Sequence, residues 1–390
     1  MTLPFMGYRY VKKRLGTRLG LISLAAFWII FEYVHLRWEL TWPWLNLGNV
    51  FALNHTWIQW YAYTGTFGGT LWVLAVNILV FAMLRLVVFT NEIHFLSGKK
   101  QKVAFIAFLL CLVIVPIGIS KAMYARTKDV GTPVNVTVLQ PNFNPYTEKF
   151  SLPYNAQVEK MIRLSAEKIT DSTDYLAWPE TAIPHPIWLH EMDFSKPLRM
   201  IHSLTDSFPN LTTIVGINAY AQYNSAADAT VTSRQLINPK YADTIWFDAF
   251  NSALQLDTSG NIEVYHKSKL VPGVERMPYP GALKFLEFLV MDLGGISGTL
   301  ATQKDREVFF NKDSIGVATA ICYESIFGEY VTRYVRNGAN LIFIITNDGW
   351  WGNTAGHKQH CLYGRLRAIE NRKSIARSAN TGISCFINQR

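Results

Sequence analysis

Charged side chains are scarce in this chain. They account for 17% of its 390 residues, while aromatic residues account for 14% and hydrophobic residues for 49%. Soluble domains carry about 25% charged residues, so this composition argues against a wholly soluble protein and points to a membrane-associated part. The net charge of +9 arises from lysines and arginines that are scattered or flank apolar segments. Such a distribution is typical of membrane topology signals, and we expect no nucleic-acid partner.

Cysteine is also rare, and its spacing argues against two common kinds of site. The chain has no CxxC motif and no paired cysteine spacing, its four cysteines being Cys111, Cys322, Cys361 and Cys385. We therefore expect neither a disulfide framework nor a zinc ribbon. A metal site can be drawn from His357, His360 and Cys361, but no fourth ligand is evident and helix-surface residues are the simpler explanation. We predict no metal and no cofactor.

Long apolar runs lie before residue 120. Lys12 and Arg18 belong to a basic stretch that precedes an apolar run over residues 19–36. No small-residue cleavage site follows this run, so we predict a membrane span and not a secretory signal. Two further spans are predicted over residues 67–89 and 103–119.

The segments between these runs are less regular. Residues 38–44 are rich in tryptophan and proline, which favours the headgroup layer of a membrane. Residues 45–63 mix polar and apolar side chains, and we interpret them as interfacial or re-entrant. Glu32 and Arg37 lie near the predicted membrane boundary, where simple snorkelling and a substrate role are both open.

The positions of the basic residues predict the orientation. The N-terminus and the lysine-containing loop 91–102 are basic, so the positive-inside rule places both in the cytoplasm. The tryptophan-rich segment and everything after residue 120 then lie on the other side of the membrane.

The remainder of the chain alternates between two periodicities. Apolar strand patterns alternate with helical patterns, which predicts an α/β layered fold with helices outside the sheets. We place the boundary between a transmembrane domain, residues 1–128, and a catalytic domain, residues 129–390. The predicted strands cover residues 134–140, 175–178, 212–217, 251–256, 262–265, 315–321, 341–346 and 383–387, and the predicted helices cover 155–170 and 364–378.

Three polar side chains follow predicted strands, where catalytic groups of α/β sheets commonly lie. They are Glu180, Lys267 and Cys322. Acyl transfer requires a nucleophile, a base and a cation or donor for the oxyanion, and these residue types supply all three. Each also has a structural explanation, namely a helix N-terminal carboxylate, a solvated lysine and a buried packing thiol. Their spacing does not show that they converge.

Three sequence motifs carry a resemblance. WPETAIP at residues 178–184, YHKSKLVPGVE at 265–275 and CYE at 322–324 resemble the three motifs of the nitrilase superfamily. More narrowly, the chain resembles the apolipoprotein N-acyltransferase family. Further matching segments are FEY at residues 31–33, WPWL at 42–45, NDGWWG at 347–352 and RSANTGI at 377–383.

This resemblance implies a fold and a set of site residues. The fold would be a nitrilase-like α-β-β-α layered domain attached to an N-terminal block of transmembrane helices. Glu180 would be the general base, Lys267 the cation that stabilises the oxyanion, and Cys322 the nucleophile. The supporting residues implied are Glu275 and Glu324, which would position the lysine and line the pocket, Tyr323 beside the nucleophile, and Asn251 near the site.

The resemblance also implies substrates and a location. Cys322 would take an acyl chain from a phospholipid, phosphatidylethanolamine in the first instance, and form a thioester. The α-amine of an S-diacylglyceryl cysteine at the N-terminus of a lipoprotein would then receive the chain. The catalytic domain would face the periplasm from the bacterial inner membrane. We expect the loop with Phe150 to form the lipid entrance.

Two departures from the family pattern accompany this resemblance. Gly273 and Val274 stand where members usually carry Phe-Gly. Members also usually have more transmembrane segments at the start, and further strands with a final transmembrane helix at the end. The sequence is therefore expected to be truncated at both ends, with the C-terminal part of the catalytic domain missing.

Two other functions stay open on the residues alone. A membrane-tethered amidase of the nitrilase type would use the same three side chains and pass the acyl group of a small amide to water. A non-catalytic lipid-binding membrane protein would not need Cys322 at all.

Overall fold

The computed structural model describes residues 1–85, 99–237, 244–279 and 299–390. These residues form two compact units. The first comprises the described residues within 1–129, 368–372 and 390, and the second comprises those within 130–367 and 373–389.

The first unit contains three helices that are long and apolar enough to cross a membrane: α1 (Thr2–His35), α2 (Tyr61–Leu84) and α3 (Lys99–Arg126). Helix α1 includes the basic stretch that we placed before the first span, and it bends at Gly16, whose φ is 85°. Helix α2 begins six residues earlier than predicted. The end of the predicted second span and the loop before Lys99 fall on residues 86–98, outside the described residues.

The segment after α1 folds into three short 3-10 helices, Pro43–Leu45, Leu47–Leu53 and His55–Trp57. The longest has seven residues, which is too short to cross a bilayer. Residues 61–63, which we included in the interfacial segment, belong to α2.

Glu32 lies within this unit and is buried, so the snorkelling interpretation is wrong for it. Its carboxylate accepts hydrogen bonds from the Thr70 hydroxyl at 2.7 Å and from the Leu47 amide at 2.9 Å. These bonds join α1 to α2 and to the short helices, because each partner lies on a different element. Arg37 instead donates to the carbonyl oxygen of Tyr33 and lies over its ring.

The second unit contains two sheets. The seven-stranded sheet has the order β1-β2-β4-β6-β5, with β3 beside β4 and β7 beside β6. Its strands are β1 (Val136–Val138), β2 (Tyr175–Ala177), β3 (Ile183–Trp188), β4 (Thr212–Tyr223), β5 (Arg234–Ile237), β6 (Thr244–Leu256) and β7 (Ile262–His266). The five-stranded sheet has the order β12-β11-β10-β9-β8. Its strands are β8 (Phe309–Phe310), β9 (Gly316–Ile321), β10 (Leu341–Thr346), β11 (Ile375–Ala379) and β12 (Cys385–Ile387).

Helices accompany both sheets, and the predicted α/β class is confirmed. They are α4 (Tyr154–Ala166), α5 (Lys196–Asp206), α6 (Gly328–Arg336) and α7 (Ala355–Asn371). Val158 and Met161 of α4 and Ile201 of α5 are buried in one core with Leu254 of β6. Val158 and Met161 lie about one helical turn apart, so a single face of α4 covers the sheet.

Strand direction brings the ends of several strands together. In the five-stranded sheet β9, β10 and β11 are parallel. In the larger sheet β1, β2 and β4 are parallel. The carboxyl ends of parallel strands lie at one edge of a sheet, so Cys322 after β9 and Asn347 after β10 are neighbours, as are Gln140 after β1 and Trp178 after β2.

The predicted helix over residues 364–378 is wrong at its C-terminal half. Helix α7 ends at Asn371, and residues 375–379 form β11, which pairs in parallel with β10. All five residues of β11 are buried. We predicted a basic helix here, but Arg377 lies in a strand, where its guanidinium is buried and pairs with Asp348.

Candidate active site

Glu180 lies in a tight turn just after β2. Its Oε1 accepts hydrogen bonds from Asn251 Nδ2 at 2.8 Å and from Lys267 Nζ at 2.9 Å, and its Oε2 accepts one from the Asn347 amide at 3.0 Å. Burial alone would raise the pKa of this carboxyl, but the Lys267 ammonium and the hydrogen bonds outweigh that effect and lower it. The side chain is therefore a carboxylate at neutral pH.

Lys267 lies between two carboxylates. Its Nζ, 1% exposed, donates to Glu275 Oε1 at 2.7 Å as well as to Glu180. Burial would lower the pKa of this ammonium, but the two carboxylates outweigh burial and raise it well above its usual value. The other oxygen of Glu275 accepts from the Val271 amide at 2.8 Å. Lys267 is thus a fixed positive charge with a defined position.

Cys322 follows β9 and opens a short helical turn. Its φ of 50° lies in the left-handed region, which is uncommon for a residue with a side chain and is characteristic of strained functional positions. Two groups hold its backbone carbonyl oxygen: the Ser325 hydroxyl donates to it at 2.7 Å, and His360 Nε2 lies 3.0 Å away. The thiol itself makes a hydrogen bond with Thr346.

The charges of Glu180 and Lys267 act on the thiol of Cys322. Burial raises its pKa most, the Glu180 carboxylate raises it further, and the Lys267 ammonium lowers it in part. The net direction is upward, so sulfur carries its proton at neutral pH. A nucleophilic role for this thiol therefore needs a base that takes the proton during attack, and Glu180 is an ionised carboxylate beside it.

The predicted supporting residues occupy two different places. Asn251 Nδ2 donates to both Glu180 and Glu275, so it joins the two carboxylates. Glu324 instead accepts hydrogen bonds from the backbone amides of Ser268 and Ile321 at 2.7 and 2.9 Å. Its carboxylate therefore ties the chain after Lys267 to the end of β9, while burial raises its pKa.

Tyr323 and Phe150 differ in exposure. Tyr323 is buried and packs edge-on against Phe327, with ring centroids 5.2 Å apart. Phe150 is 40% exposed and stacks on Trp350 at 6.3 Å. The Tyr146 hydroxyl donates to the carbonyl oxygen of Trp350 at 2.7 Å. Phe150, Tyr146 and Trp350 form a partly exposed aromatic cluster.

Lys149 is a site residue that the sequence analysis missed. It is 3% exposed, and its Nζ donates to the backbone oxygen of Glu180 at 3.2 Å and to the hydroxyl of Thr181. Thr181 also has a positive φ, 46°. Burial lowers the pKa of this ammonium to about 8, although Glu180 and Cys322 act in the opposite direction. No local pattern marks this lysine, which stands in the loop between β1 and α4.

A buried network of His360, Asp348 and Arg377 contacts the backbone of Cys322 through His360. His360 Nδ1 lies 2.9 Å from Asp348 Oδ1, and Arg377 Nη2 donates to Asp348 Oδ2 at 2.6 Å. The three side chains are fully buried or nearly so. His360 is therefore not the helix-surface residue that we predicted, because Asp348 satisfies it in the interior. Burial would raise the pKa of Asp348, but His360 and Arg377 outweigh burial and lower it strongly.

Two family models match the chain. The carbon-nitrogen hydrolase model matches residues 127–390, and the apolipoprotein N-acyltransferase N-terminal domain model matches residues 1–79. The two matches follow one another along the chain, so each covers a different part.

Two curated relatives of this chain are both described as apolipoprotein N-acyltransferases. The apolipoprotein N-acyltransferase of Chlorobaculum tepidum is 31% identical over 98% of this chain and 70% of its own length. The apolipoprotein N-acyltransferase of Rickettsia prowazekii is 27% identical over 94% of this chain. The chain spans 65% of the length of that second relative. Among solved structures, Saccharomyces cerevisiae Nit3, a nitrilase-superfamily member, aligns at 15% identity with a TM-score of 0.44, covering 68% of this chain and 85% of its own.

Proposed function

The chain belongs to the apolipoprotein N-acyltransferase family, and on this premise we propose that it transfers an acyl chain from a phospholipid to a lipoprotein. The acceptor is the α-amine of an S-diacylglyceryl cysteine, and the preferred donor is phosphatidylethanolamine. The enzyme acts at the bacterial inner membrane with its catalytic unit in the periplasm.

The observation that carries this proposal is the position of Lys267. One buried ammonium contacts the carboxylates of Glu180 and Glu275 and acts electrostatically on the Cys322 thiol. An ionised base, a fixed cation and a protonated thiol are the groups that acyl transfer through a thioester requires. Nitrilase-type hydrolysis requires the same groups, so the choice between amine and water rests on the family and on the apolar helices.

The first half-reaction forms the thioester. As Cys322 Sγ attacks the ester carbonyl carbon, Glu180 accepts the thiol proton, and Lys267 stabilises the negative charge that develops on the carbonyl oxygen. The tetrahedral intermediate then collapses, the C–O bond of the ester breaks, and Glu180 returns the proton to the departing oxygen of the lysophospholipid. Because the thiol pKa is raised, proton transfer and C–S bond formation are expected to proceed together.

The second half-reaction consumes the thioester. The neutral α-amine of the lipoprotein attacks the thioester carbonyl, and the same ammonium stabilises the new oxyanion. Glu180 takes a proton from the attacking nitrogen, the C–S bond breaks, and the proton returns to sulfur. Free Cys322 and an N-acylated lipoprotein result. Lys149 supports both steps, since its contacts fix the backbone of the Glu180 turn.

Both substrates are lipids, which explains why the catalytic unit belongs to a membrane protein. The aromatic cluster of Phe150, Tyr146 and Trp350 presents apolar surface next to Lys149, which contacts Glu180. We propose that this cluster receives the acyl chain. Tyr323 packs below the nucleophile and fixes its turn.

The direct test is to trap the acyl-enzyme. The full chain in detergent micelles is incubated with phosphatidylethanolamine that carries an isotope-labelled acyl chain, and intact protein is analysed by mass spectrometry. We expect one acyl adduct, located at Cys322 by peptide mapping and removed by neutral hydroxylamine. Cys322→Ser should abolish this adduct, and Cys111→Ser should leave it unchanged.

Three results would count against the proposal. A folded protein without an adduct would contradict the thioester mechanism. Release of ammonia from a small amide, without transfer to a diacylglyceryl peptide, would favour the amidase. Full biological function of Cys322→Ser would favour a lipid-binding protein without catalysis.

A further inference from the structure

Two cysteines outside the proposed acyl-transfer site lie in contact with each other. Cys361 in α7 and Cys385 in β12 have their sulfur atoms 3.7 Å apart, although 24 positions separate them along the chain. Both are free thiols and both are half-buried. From this contact we propose that Cys361 and Cys385 form a reversible disulfide that links helix α7 to strand β12.

The packing around the two sulfurs supports a stable approach of these elements. Gly364 lies one helical turn after Cys361, and Ile387 lies two residues after Cys385 on the same side of the strand. A Cβ atom at position 364 would stand 2.9 Å from Ile387 Cδ1. A side chain at position 364 would require Ile387 to shift, so α7 and β12 are closely packed beside the two thiols.

Strand pairing also fixes the position of Cys385. Cys385 pairs with Arg377 in the antiparallel β11–β12 ladder. Arg377 in turn is held by Asp348, as described above. Cys385 is thus carried on a paired strand and Cys361 on a helix of 17 residues, so neither sulfur depends on a loose loop for its position.

The pKa values of the two thiols differ, so we expect one cysteine to react with an oxidant before the other. The contact with Cys385 lowers the pKa of Cys361 most, and although burial opposes this effect, the pKa falls to about 7. The pKa of Cys385 is raised. Because the thiolate is the nucleophile in disulfide exchange, Cys361 reacts first with an oxidant.

The exchange is balanced with a disulfide as oxidant. Cys361 thiolate attacks one sulfur of glutathione disulfide, or of a protein disulfide in a thiol oxidoreductase, and the other half leaves as a thiolate. Cys385 loses its proton and attacks the sulfur of Cys361, which releases the second thiolate. The two cysteines are oxidised by two electrons, and one disulfide is reduced to two thiols.

The cross-link would lie beside the network that supports the nucleophile. His360 directly precedes Cys361, and its Nε2 contacts the carbonyl oxygen of Cys322. The inference itself does not depend on acyl transfer, since it rests on the contact of the two sulfurs and on the packing of α7 against β12.

The test measures thiols in the full chain. Purified protein in detergent micelles is equilibrated with mixtures of reduced and oxidised glutathione, denatured in N-ethylmaleimide, digested without reduction and analysed by mass spectrometry. We expect a peptide pair joined through Cys361 and Cys385, with loss of alkylation at both and no loss at Cys111. Complete alkylation of both cysteines in oxidised glutathione would overturn the proposal, and so would glutathione that persists on wild-type Cys361.

Single variants check the order of the two steps. Cys385→Ser should retain glutathione on Cys361, because the resolving thiol is missing. Cys361→Ser should likewise retain glutathione on Cys385, because the partner thiol is missing. In the wild type, glutathione trapped before the cross-link forms should lie on Cys361, and a first adduct on Cys385 would contradict the order. If a variant fails to fold, the cross-linked peptide of the wild type still decides whether the disulfide forms.

Discussion

Lys149 Nζ lies 3.2 Å from the backbone oxygen of Glu180, so a buried cation holds the chain at the predicted general base. Its side chain also contacts the hydroxyl of Thr181. The proposed site therefore contains two ammonium groups, Lys149 and Lys267, and two carboxylates, Glu180 and Glu275.

Replacing Lys149 should slow thioester formation. Lys149→Met removes a charge-assisted hydrogen bond that positions the Glu180 turn, and misplacing a catalytic group costs up to about 10²-fold in rate. The rate of the acyl adduct on Cys322 measures this effect. Lys160→Met is the matched control, because Lys160 Nζ also donates to a backbone oxygen, that of Pro141, outside the site.

The pH profile separates a charge effect from a packing effect of Lys149. Its pKa is lowered to about 8 by burial, so the ammonium is present below pH 8 and is lost as the pH rises through that value. Wild-type acylation should therefore decline above pH 8, and Lys149→Met should lack this decline. An identical alkaline decline in both proteins would show that another group titrates there.

Removing the central cation should nearly abolish activity. Lys267→Ala deletes the proposed oxyanion partner, and loss of one such donor lowers turnover by about 10²- to 10³-fold. It also leaves Glu180 and Glu275 facing each other without a cation, so thermal unfolding should occur at a lower temperature. Lys312→Ala, at an exposed lysine that contacts Pro209 and Asn210, should change neither property. Normal acylation by folded Lys267→Ala would rule out the proposed role.

Asn251 offers a test of charge at constant size. Its Nδ2 donates to both carboxylates, so Asn251→Asp would place a third carboxylate against Glu180 and Glu275. We expect Asn251→Asp to lose more activity and stability than Asn251→Ala, because like charges in a buried site repel. Asn261→Asp, in an exposed turn, controls for the added charge. The reverse order of the two variants would mean that shape matters more than charge here.

Phe150 tests the lipid entrance. Phe150→Ala should raise the KM for phospholipid several-fold and leave acylation by a short, water-soluble thioester unchanged, because only the long chain needs the aromatic cluster. Phe194→Ala, at another exposed phenylalanine, should alter neither reaction. Unchanged lipid turnover in Phe150→Ala would remove this residue from the entrance.

The proposed catalytic residues that the sequence indicated lie in motifs at strand ends. Glu180, Lys267 and Cys322 each follow an apolar strand, and the structure brings Glu180 and Lys267 into direct contact. Lys149 was not predictable in the same way. Its burial results from contacts with residues more than 30 positions away, and a lysine in a loop normally remains in solvent.

Tertiary charge pairing explains the largest error in the fold. Residues 375–379 contain Arg377, and we predicted a helix over this segment. Asp348, at the end of the neighbouring strand, neutralises that guanidinium in the interior. The contact between Cys361 and Cys385 could not be predicted either, because the spacing of cysteines along a chain does not determine which thiols meet in the folded protein.

Lys149 and Phe150 are consecutive residues that face opposite environments. The first reaches inward to the Glu180 turn, and the second stacks outward on Trp350. One peptide bond therefore connects the proposed lipid-binding cluster with the lysine that holds the backbone of the proposed base. In the proposed mechanism, the lipid entrance and the support of the base thus belong to one short segment of the chain.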